Sequence, residues 1–451
     1  MKSFLTSGLV LIVVLVAAAP AFPQAGTQWR PERPNPGIYG SGTEQAAQVL
    51  SVNGSAGSGY DTSAQIAAGG TGISLGNPLA SEGSRYNGFA GSLSYSATLD
   101  KWSLGGSFSS SARQYPQLDV PMIIGNSASG GATFALGRRT TIHGNVGTTF
   151  SRMRNFSPFA SLGDPALGQI EPPNLDFGYG NTTYHTLTVD GGFTQQFSTR
   201  SSLEATYSRS SNSFQSNIQD MTHQTGAFRY THSLSRYLSL RLGYGQTDAR
   251  YGITERQYQT HNFDIGVDYR RALSLTRRTN LSFNTGATAL QTGATSTQQA
   301  SQTRFDVIGS AALTREIGRT WNASLVYQRS AGYAEFILEP IFSDAISASY
   351  GGQINRRLSF HSGVGTSRGT VGFNGTTGNG FDAINASAGL SHALTRNLAL
   401  DLNYSLYHYN FEPGAALVSG LVPRMNRHSI NVTLSAWAPI FQHGVKKHAS
   451  R

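Results

Sequence analysis

One pattern recurs roughly every 35 to 40 residues: an alternating apolar and polar segment, a tight turn bearing Arg or Lys, and a second alternating segment. Two clear copies turn at Arg236 and Arg396, and the others centre on Lys101, Arg139, Arg200, Arg278, Arg319 and Arg357. Alternation with a period of two places apolar side chains on one face of a strand and polar ones on the other. The pattern therefore predicts a sheet built from consecutive antiparallel hairpins.

The length and regularity of these segments favour one all-β architecture. In the segment after Arg396, Leu400, Leu402 and Tyr404 share one face, whereas Asp401 falls on the other. Long alternating strands with short turns at one end and long loops at the other are typical of a transmembrane up-and-down β-barrel. A soluble β-sandwich would alternate too. We favour the barrel because successive copies show no Greek-key break in hairpin order.

The turns also fix the expected number of strands. Eight turns give eight hairpins, and one lone strand precedes them (48–59) and one follows (428–437), for about eighteen strands, with sixteen as the alternative. An even number places both chain ends on the side of the short turns, which is periplasmic. The long connections, of which 60–84 and 155–179 are the longest, then face the cell exterior.

The N-terminus has the pattern of a secretory signal. Lys2 precedes an apolar run over residues 9–19, and Ala19 and Ala21 offer a cleavage site. We predict a signal peptide at 1–21, a Pro-rich periplasmic extension at 22–44, an outer-membrane barrel at 45–441 and a basic tail at 442–451. The sequence has no cysteine, so it predicts no disulfide and no thiol nucleophile.

Charge is sparse and spread out. Only 13% of the residues are charged, against about a quarter in an ordinary soluble protein. The net charge is +10, but Arg and Lys favour the tight turns, while many acids, such as Asp61, lie in or near the long loops. Because the basic residues form no cluster, we expect no nucleic-acid partner.

Strand parity assigns candidate residues to the two faces of the barrel. Charged residues of both signs fall on the predicted pore-lining face, namely Asp190, Glu204, Arg229, Arg241, Asp264, Asp268, Arg270, Asp306 and Asp401. They suit either a water-filled pore or cross-barrel ion pairs that hold the wall open. Aromatic residues recur on the outward face at similar distances from the turns and predict an interfacial girdle of Phe108, Phe150, Tyr207, Tyr244, Tyr327 and Tyr404.

The 155–179 loop carries four prolines and several apolar residues. We hypothesise that it folds over or into the barrel mouth, so that its deletion raises conductance.

No motif commits the chain to catalysis. His143 with neighbouring lumen hydroxyls is the candidate for a barrel hydrolase, but a structural histidine is favoured because no orienting carboxylate can be assigned. We expect no enzyme activity, no cofactor and no metal site.

The two L-x-R-x-L-x-L hairpins, at 234–240 and 394–400, together with the signal peptide, resemble bacterial outer-membrane β-barrel proteins of the porin type. They look most like the Gram-negative barrels found with exopolysaccharide systems. The last predicted strand is followed by a basic tail, whereas such barrels usually end on an aromatic residue.

The resemblance implies outer-membrane lipid, lipopolysaccharide and the barrel-insertion machinery as partners, with polysaccharide and a homo-oligomer as further options. Three functions stay open. The first is a passive or secretion-associated pore for hydrophilic solutes or polysaccharide, which we favour. The second is a closed surface barrel whose loops bind polysaccharide, and the third is the hydrolase.

Overall fold

Eighteen long strands form one antiparallel sheet that closes on itself, which confirms the predicted fold and the higher of the two strand numbers. The structure, a computed structural model, describes residues 46–62, 83–118, 122–151, 153–155, 176–178, 183–214, 220–252, 257–273, 278–292, 303–318, 320–332, 339–372, 378–415 and 423–445. The predicted signal peptide, the Pro-rich extension, most of the 155–179 loop and the last six residues lie outside the described residues.

The strands follow the hairpin repeat. They are β1 (Ala46–Asp61), β2 (Ser84–Thr98), β3 (Trp102–Gln114), β4 (Ile123–Ala135), β5 (Thr140–Ser151), β6 (Met153–Asn155), β7 (Asp176–Gly178), β8 (Tyr184–Gln196), β9 (Ser201–Phe214), β10 (Met221–Ser233), β11 (Leu238–Tyr251), β12 (Gln257–Ala272), β13 (Thr279–Thr292), β14 (Thr303–Ile317), β15 (Trp321–Gly332), β16 (Ile341–Gln353), β17 (Leu358–Val371), β18 (Gly380–Ala393), β19 (Leu398–Phe411) and β20 (Arg424–Val445). β6 and β7 form a separate two-stranded pair at the base of the 155–179 loop.

Each barrel strand pairs with the next one along the chain, and β5 pairs with β8. The sheet closes where β20 pairs with β1, from Ala46 opposite Val445 to Asp61 opposite Ser429. The eight predicted turns coincide with eight connections between consecutive strands, all at one end of the barrel, which is called the inner end; residues 274–277 and 319 of two of them lie outside the described residues. Among the described residues, no helix is long and apolar enough to cross a membrane.

Four of the tight turns share one hydrogen-bonding device. The second turn residue is Ser198, Ser235, Asn355 or Thr395, and its side-chain oxygen accepts one or two backbone N–H groups of the residues that follow, at 2.8–3.2 Å. Ser, Thr and Asn form such local bonds readily. The turn sequence therefore explains where each hairpin reverses.

The two faces of the sheet differ in polarity. Large apolar side chains are exposed on the outward face, as at Ile265 (64%), Phe305 (76%) and Val307 (64%). Inward side chains are mostly Ser, Thr, Asn, Gln, Gly and charged residues. The barrel thus has its apolar surface outside and its polar surface in the lumen, the reverse of a soluble protein with an apolar core.

Two seams of the sheet are irregular. The register between β12 and β13 shifts between Phe263 and Tyr269. The pairing of β14 with β15 begins only at Gly309 opposite Arg329, so the outer end of β14 has no ladder partner there. Such breaks leave backbone groups that side chains must satisfy.

Candidate lumen site

The predicted pore-lining residues all occupy strand positions that face the lumen. Three of them need separate comment. Asp264 and Arg270 occupy inward register positions of β12, but their side chains lie outside the described residues. The side chains of Asp190, Glu204, Arg229, Arg241, Asp268 and Asp401 project from inward positions of their strands. Asp306 also occupies an inward position, but its carboxylate forms ion pairs with Arg304 and Arg329 within the barrel wall.

A cavity of about 530 Å³ lies in the lumen against the wall formed by β9 to β15. Its charged lining comes from Glu204, Arg229, Arg241 and Arg329, and its neutral polar lining includes Asn262, Asn284, Ser310 and Gln328. Glu204 and Arg229 are direct partners across β9 and β10. This wall offers a hydrophilic solute both hydrogen-bond donors and hydrogen-bond acceptors, some charged and some neutral.

Arg241 has a structural role in this wall. Its Nε lies 3.0 Å from Asp268 Oδ1, and its Nη2 donates to the Thr285 carbonyl at 2.9 Å. Thr285 sits where the register between β12 and β13 shifts, so Arg241 supplies a donor that the ladder does not. The guanidinium crosses Gly266, where a Cβ would lie 3.1 Å from Nη2 and 1.8 Å from the Thr285 oxygen. Only glycine fits there.

Two acidic residues of the predicted lining are held by neutral partners. Asn145 donates to Asp190 Oδ2 at 2.7 Å. Ser391 and Ser435 donate to the two carboxylate oxygens of Asp401 at 2.6 and 2.8 Å. These hydrogen bonds fix the positions of both carboxylates against the neighbouring strands of the lumen wall.

Asp306 fills the open seam between β14 and β15. Its carboxylate lies 3.3 Å from Arg304 and 2.9 Å from Arg329, and its side chain is 12% exposed. Arg329 also donates to the Val307 carbonyl at 3.0 Å. These side chains therefore hold together a stretch of wall that lacks backbone pairing.

A second cluster of lumen side chains, charged and aromatic, lies at the end of the barrel opposite the tight turns and was not predicted from the sequence. Asp61 at the end of β1 is fully buried and accepts the guanidinium of Arg427 on β20, with both Nε–oxygen distances close to 3.0 Å. Arg113 stacks on the Tyr86 ring at 4.4 Å, and Tyr86 lies 5.7 Å from Tyr115. The parity of each residue was readable from its strand, but their proximity depends on how the barrel closes.

This outer-end cluster is packed rather than open. Tyr407 and Tyr409 of β19 point inward beside it and are almost completely buried. Burial raises the pKa of the Tyr115 phenol above its ordinary value, so the phenol stays protonated. The lumen is therefore asymmetric: filled at its outer end beside β19, β20 and β1 to β3, with a cavity beside β9 to β15.

The predicted girdle residues all lie on the outward face. Phe108, Phe150 and Tyr207 are about half exposed. Each of four girdle tyrosines contacts a polar side chain on the next strand, two residues further out than its own register partner. The pairs are Tyr207 with Gln224 (3.5 Å), Tyr244 with His261 (2.7 Å), Tyr327 with Asp344 (2.6 Å) and Tyr404 with His428 (2.8 Å).

An inner set of outward aromatic residues was not predicted. Trp102 packs on Phe134 at 4.2 Å, and Trp321 stacks on Tyr350 at 4.9 Å, close to the tight turns. Their signal in the sequence was an aromatic residue directly after a turn. Outward aromatics at two levels are what a barrel with two membrane interfaces requires.

His143 points into the lumen and lies over Gly192, where a Cβ would come within 2.3 Å of the imidazole. In the described part of the chain, no three His, Asp or Glu residues come together in a way that could hold a metal ion.

No protein-family model and no curated protein matches the sequence. Among solved structures, Pseudomonas aeruginosa OccK2 (OpdF) in complex with glucuronate aligns at 10% identity and a TM-score of 0.46, over 87% of this chain and 98% of that one. The FrpB iron transporter from Neisseria meningitidis aligns at 6% identity and a TM-score of 0.46, over 88% and 83%. At these values the similarity carries no argument about function.

Proposed function

We propose that this chain is an outer-membrane barrel whose lumen conducts hydrophilic solutes by passive diffusion. The observation that carries the proposal is the inverted polarity of a closed eighteen-strand sheet, with an apolar surface outside and a polar one inside. A closed barrel satisfies its backbone groups internally, which is the requirement for crossing a bilayer with strands. The signal-like N-terminus supports export to the outer membrane.

The width of the barrel supports conduction. Barrels of 16 to 18 strands leave an aqueous channel, whereas barrels of about eight are filled by side chains. The cavity beside β9 to β15 lies in this lumen. We place the route of the solute along that wall, past Glu204 and Arg229. Its amides and hydroxyls also suit a polymeric solute such as a polysaccharide.

A second candidate is a closed barrel whose outer loops bind polysaccharide. The packed outer-end cluster around Asp61 and Arg427 favours it, because these buried side chains fill part of the lumen near its mouth. The two candidates differ in whether ions pass.

The deciding experiment is single-channel recording of the refolded mature protein in a planar bilayer, with heat-modifiable gel mobility as the check of folding. Stable conductance steps are expected. A folded protein that inserts but stays silent would overturn the pore and support the closed barrel. Failure of the folded protein to insert into any bilayer would overturn the proposed membrane location.

A further inference from the structure

A row of polar side chains crosses the outward face of the barrel from β15 to β20: four charges of alternating sign, then one asparagine and one arginine. The row is built by direct register partners, each on the strand next to the last: Arg329, Asp344, Arg368, Asp382, Asn410 and Arg424. Arg329 Nη1 lies 3.3 Å from Asp344, and Asn410 donates to Asp382 at 3.4 Å. The row begins at the β14–β15 seam, where Arg329 also binds Asp306.

The row lies just beyond the apolar part of the outward face. Arg329 is two residues further out than Tyr327 on the same strand. Arg368 is four further out than Val364, and Arg424 is six further out than Ile430. On the inner side of the row, exposed apolar side chains such as Ile346, Val364 and Ile430 face outward, and Asn426 and His428 lie between Arg424 and Ile430. The row thus marks the level at which the outward surface changes from hydrocarbon-like to ionic.

The side chains of the row remain accessible. Arg329 and Asp344 are 44% and 48% exposed, and Arg368 and Arg424 are exposed as well. Opposite charges directly across neighbouring strands stabilise a sheet only modestly, and exposed ion pairs less still. Arginine retains donors after pairing with one carboxylate, and its planar fork suits phosphate.

We infer that this row binds the phosphate groups of a phosphorylated glycolipid in the outer leaflet, through Arg368 and Arg424, while Arg329 is held at the end of the row by Asp306, Asp344 and the Val307 carbonyl. The inference rests on the proposed membrane location. An outward arginine just beyond the apolar band meets lipid headgroups, and phosphate is the anionic group there that matches a guanidinium. Asp344 pairs with Arg329, and Asp382 accepts a hydrogen bond from Asn410, so each carboxylate separates two arginines of the row. The row is therefore a lipid-anchoring surface on one side of the barrel.

The test uses the refolded mature protein in neutral detergent micelles, titrated with bisphosphorylated lipid A. A lipid that binds only the folded state raises its unfolding temperature, and this rise is followed by tryptophan fluorescence. We expect Arg368→Gln with Arg424→Gln to weaken apparent lipid A binding by about tenfold or more, because charge-assisted bonds to phosphate are lost. Arg356→Gln with Arg357→Gln is the matched control, since it removes two positive charges from the tight turn of the Arg368 hairpin.

Several outcomes would overturn the inference. Dephosphorylated lipid A should give no rise with the unchanged protein, and an equal rise would mean that the acyl chains are recognised. Inorganic phosphate at the same concentration should also give none, and an equal rise would remove the lipid from the assignment. An equal loss of lipid A binding in the control variant would mean that the total positive charge of the protein, and not the row, determines binding. Unchanged binding in the double variant would mean that the row only stabilises the sheet by contacts across strands. Conductance, recorded separately, tests the pore independently of all these results.

Discussion

At the scale of single residues, two lumen arginines of the same wall have different roles. Arg241 is nearly buried, forms an ion pair with Asp268 and donates to the Thr285 carbonyl, so it completes an irregular stretch of sheet. Arg229 is exposed to the lumen opposite Glu204. Parity placed both on the lumen face, but could not separate the two roles. The difference depends on a register shift between strands, which no single strand encodes.

The ion pair of Asp61 and Arg427 should matter most for stability. Asp61→Asn leaves the Arg427 charge buried without its partner, which is expected to cost about 3 kcal/mol or more in the free energy of unfolding. Urea unfolding of the refolded barrel in micelles measures this cost. Replacing both residues, as Asp61→Leu with Arg427→Leu, should recover much of the loss.

Asp344→Asn serves as the control for that experiment. It removes a carboxylate that is 48% exposed, so its cost should stay below about 1 kcal/mol. If Asp61→Asn were no more destabilising than Asp344→Asn, the buried pair would not be a stabilising contact.

At the scale of elements, the turns show why the hairpins were predictable. Four of the eight reversals are encoded locally, by a residue whose side chain accepts a hydrogen bond from the backbone two or three positions ahead. The strands between them are encoded by alternation. The open β14–β15 seam was not predictable, because it depends on Arg304, Asp306 and Arg329 meeting across strands.

Asn355 provides a test of the turn device. Its Oδ1 accepts the N–H groups of Arg357 and Leu358 at 2.8 and 2.9 Å. Asn355→Ala should lower the free energy of unfolding by about 1 kcal/mol, since these bonds are lost. Asn355→Ser should be close to neutral, because Ser198 and Ser235 fill the same position in two other turns. Equal losses in both variants would mean that the oxygen is not what stabilises the turn.

At the scale of the whole molecule, the strand number and the polarity of each face could be predicted from the sequence because both depend on periodicity. The packing of side chains inside the lumen could not be predicted in this way. In the sequence, an inward aromatic residue such as Tyr407 is one more member of an alternating strand. Only closure of the sheet brings its register partner Arg427 against Asp61.

The asymmetric lumen predicts how its charges act on ions. If solutes pass beside β9 to β15, Arg229→Gln should shift the reversal potential in a salt gradient toward cation selectivity. Glu204→Gln should shift it the opposite way, since each variant removes one sign of fixed charge. Arg356→Gln, in a turn outside the lumen, should change little. Identical reversal potentials in all three variants would mean that the conduction path does not follow this wall.

Closure of the barrel also bears on how the chain reaches its folded state. Every seam joins strands that are consecutive in the barrel order along the chain except the one between β1 and β20, where Asp61 and Arg427 are 366 positions apart. That seam cannot form until the last strand has been made, and until then the growing sheet has two long unpaired edges that invite aggregation. A polypeptide cut short before β20 would therefore yield no partly working barrel, only a sheet with edges for chaperones and proteases to recognise.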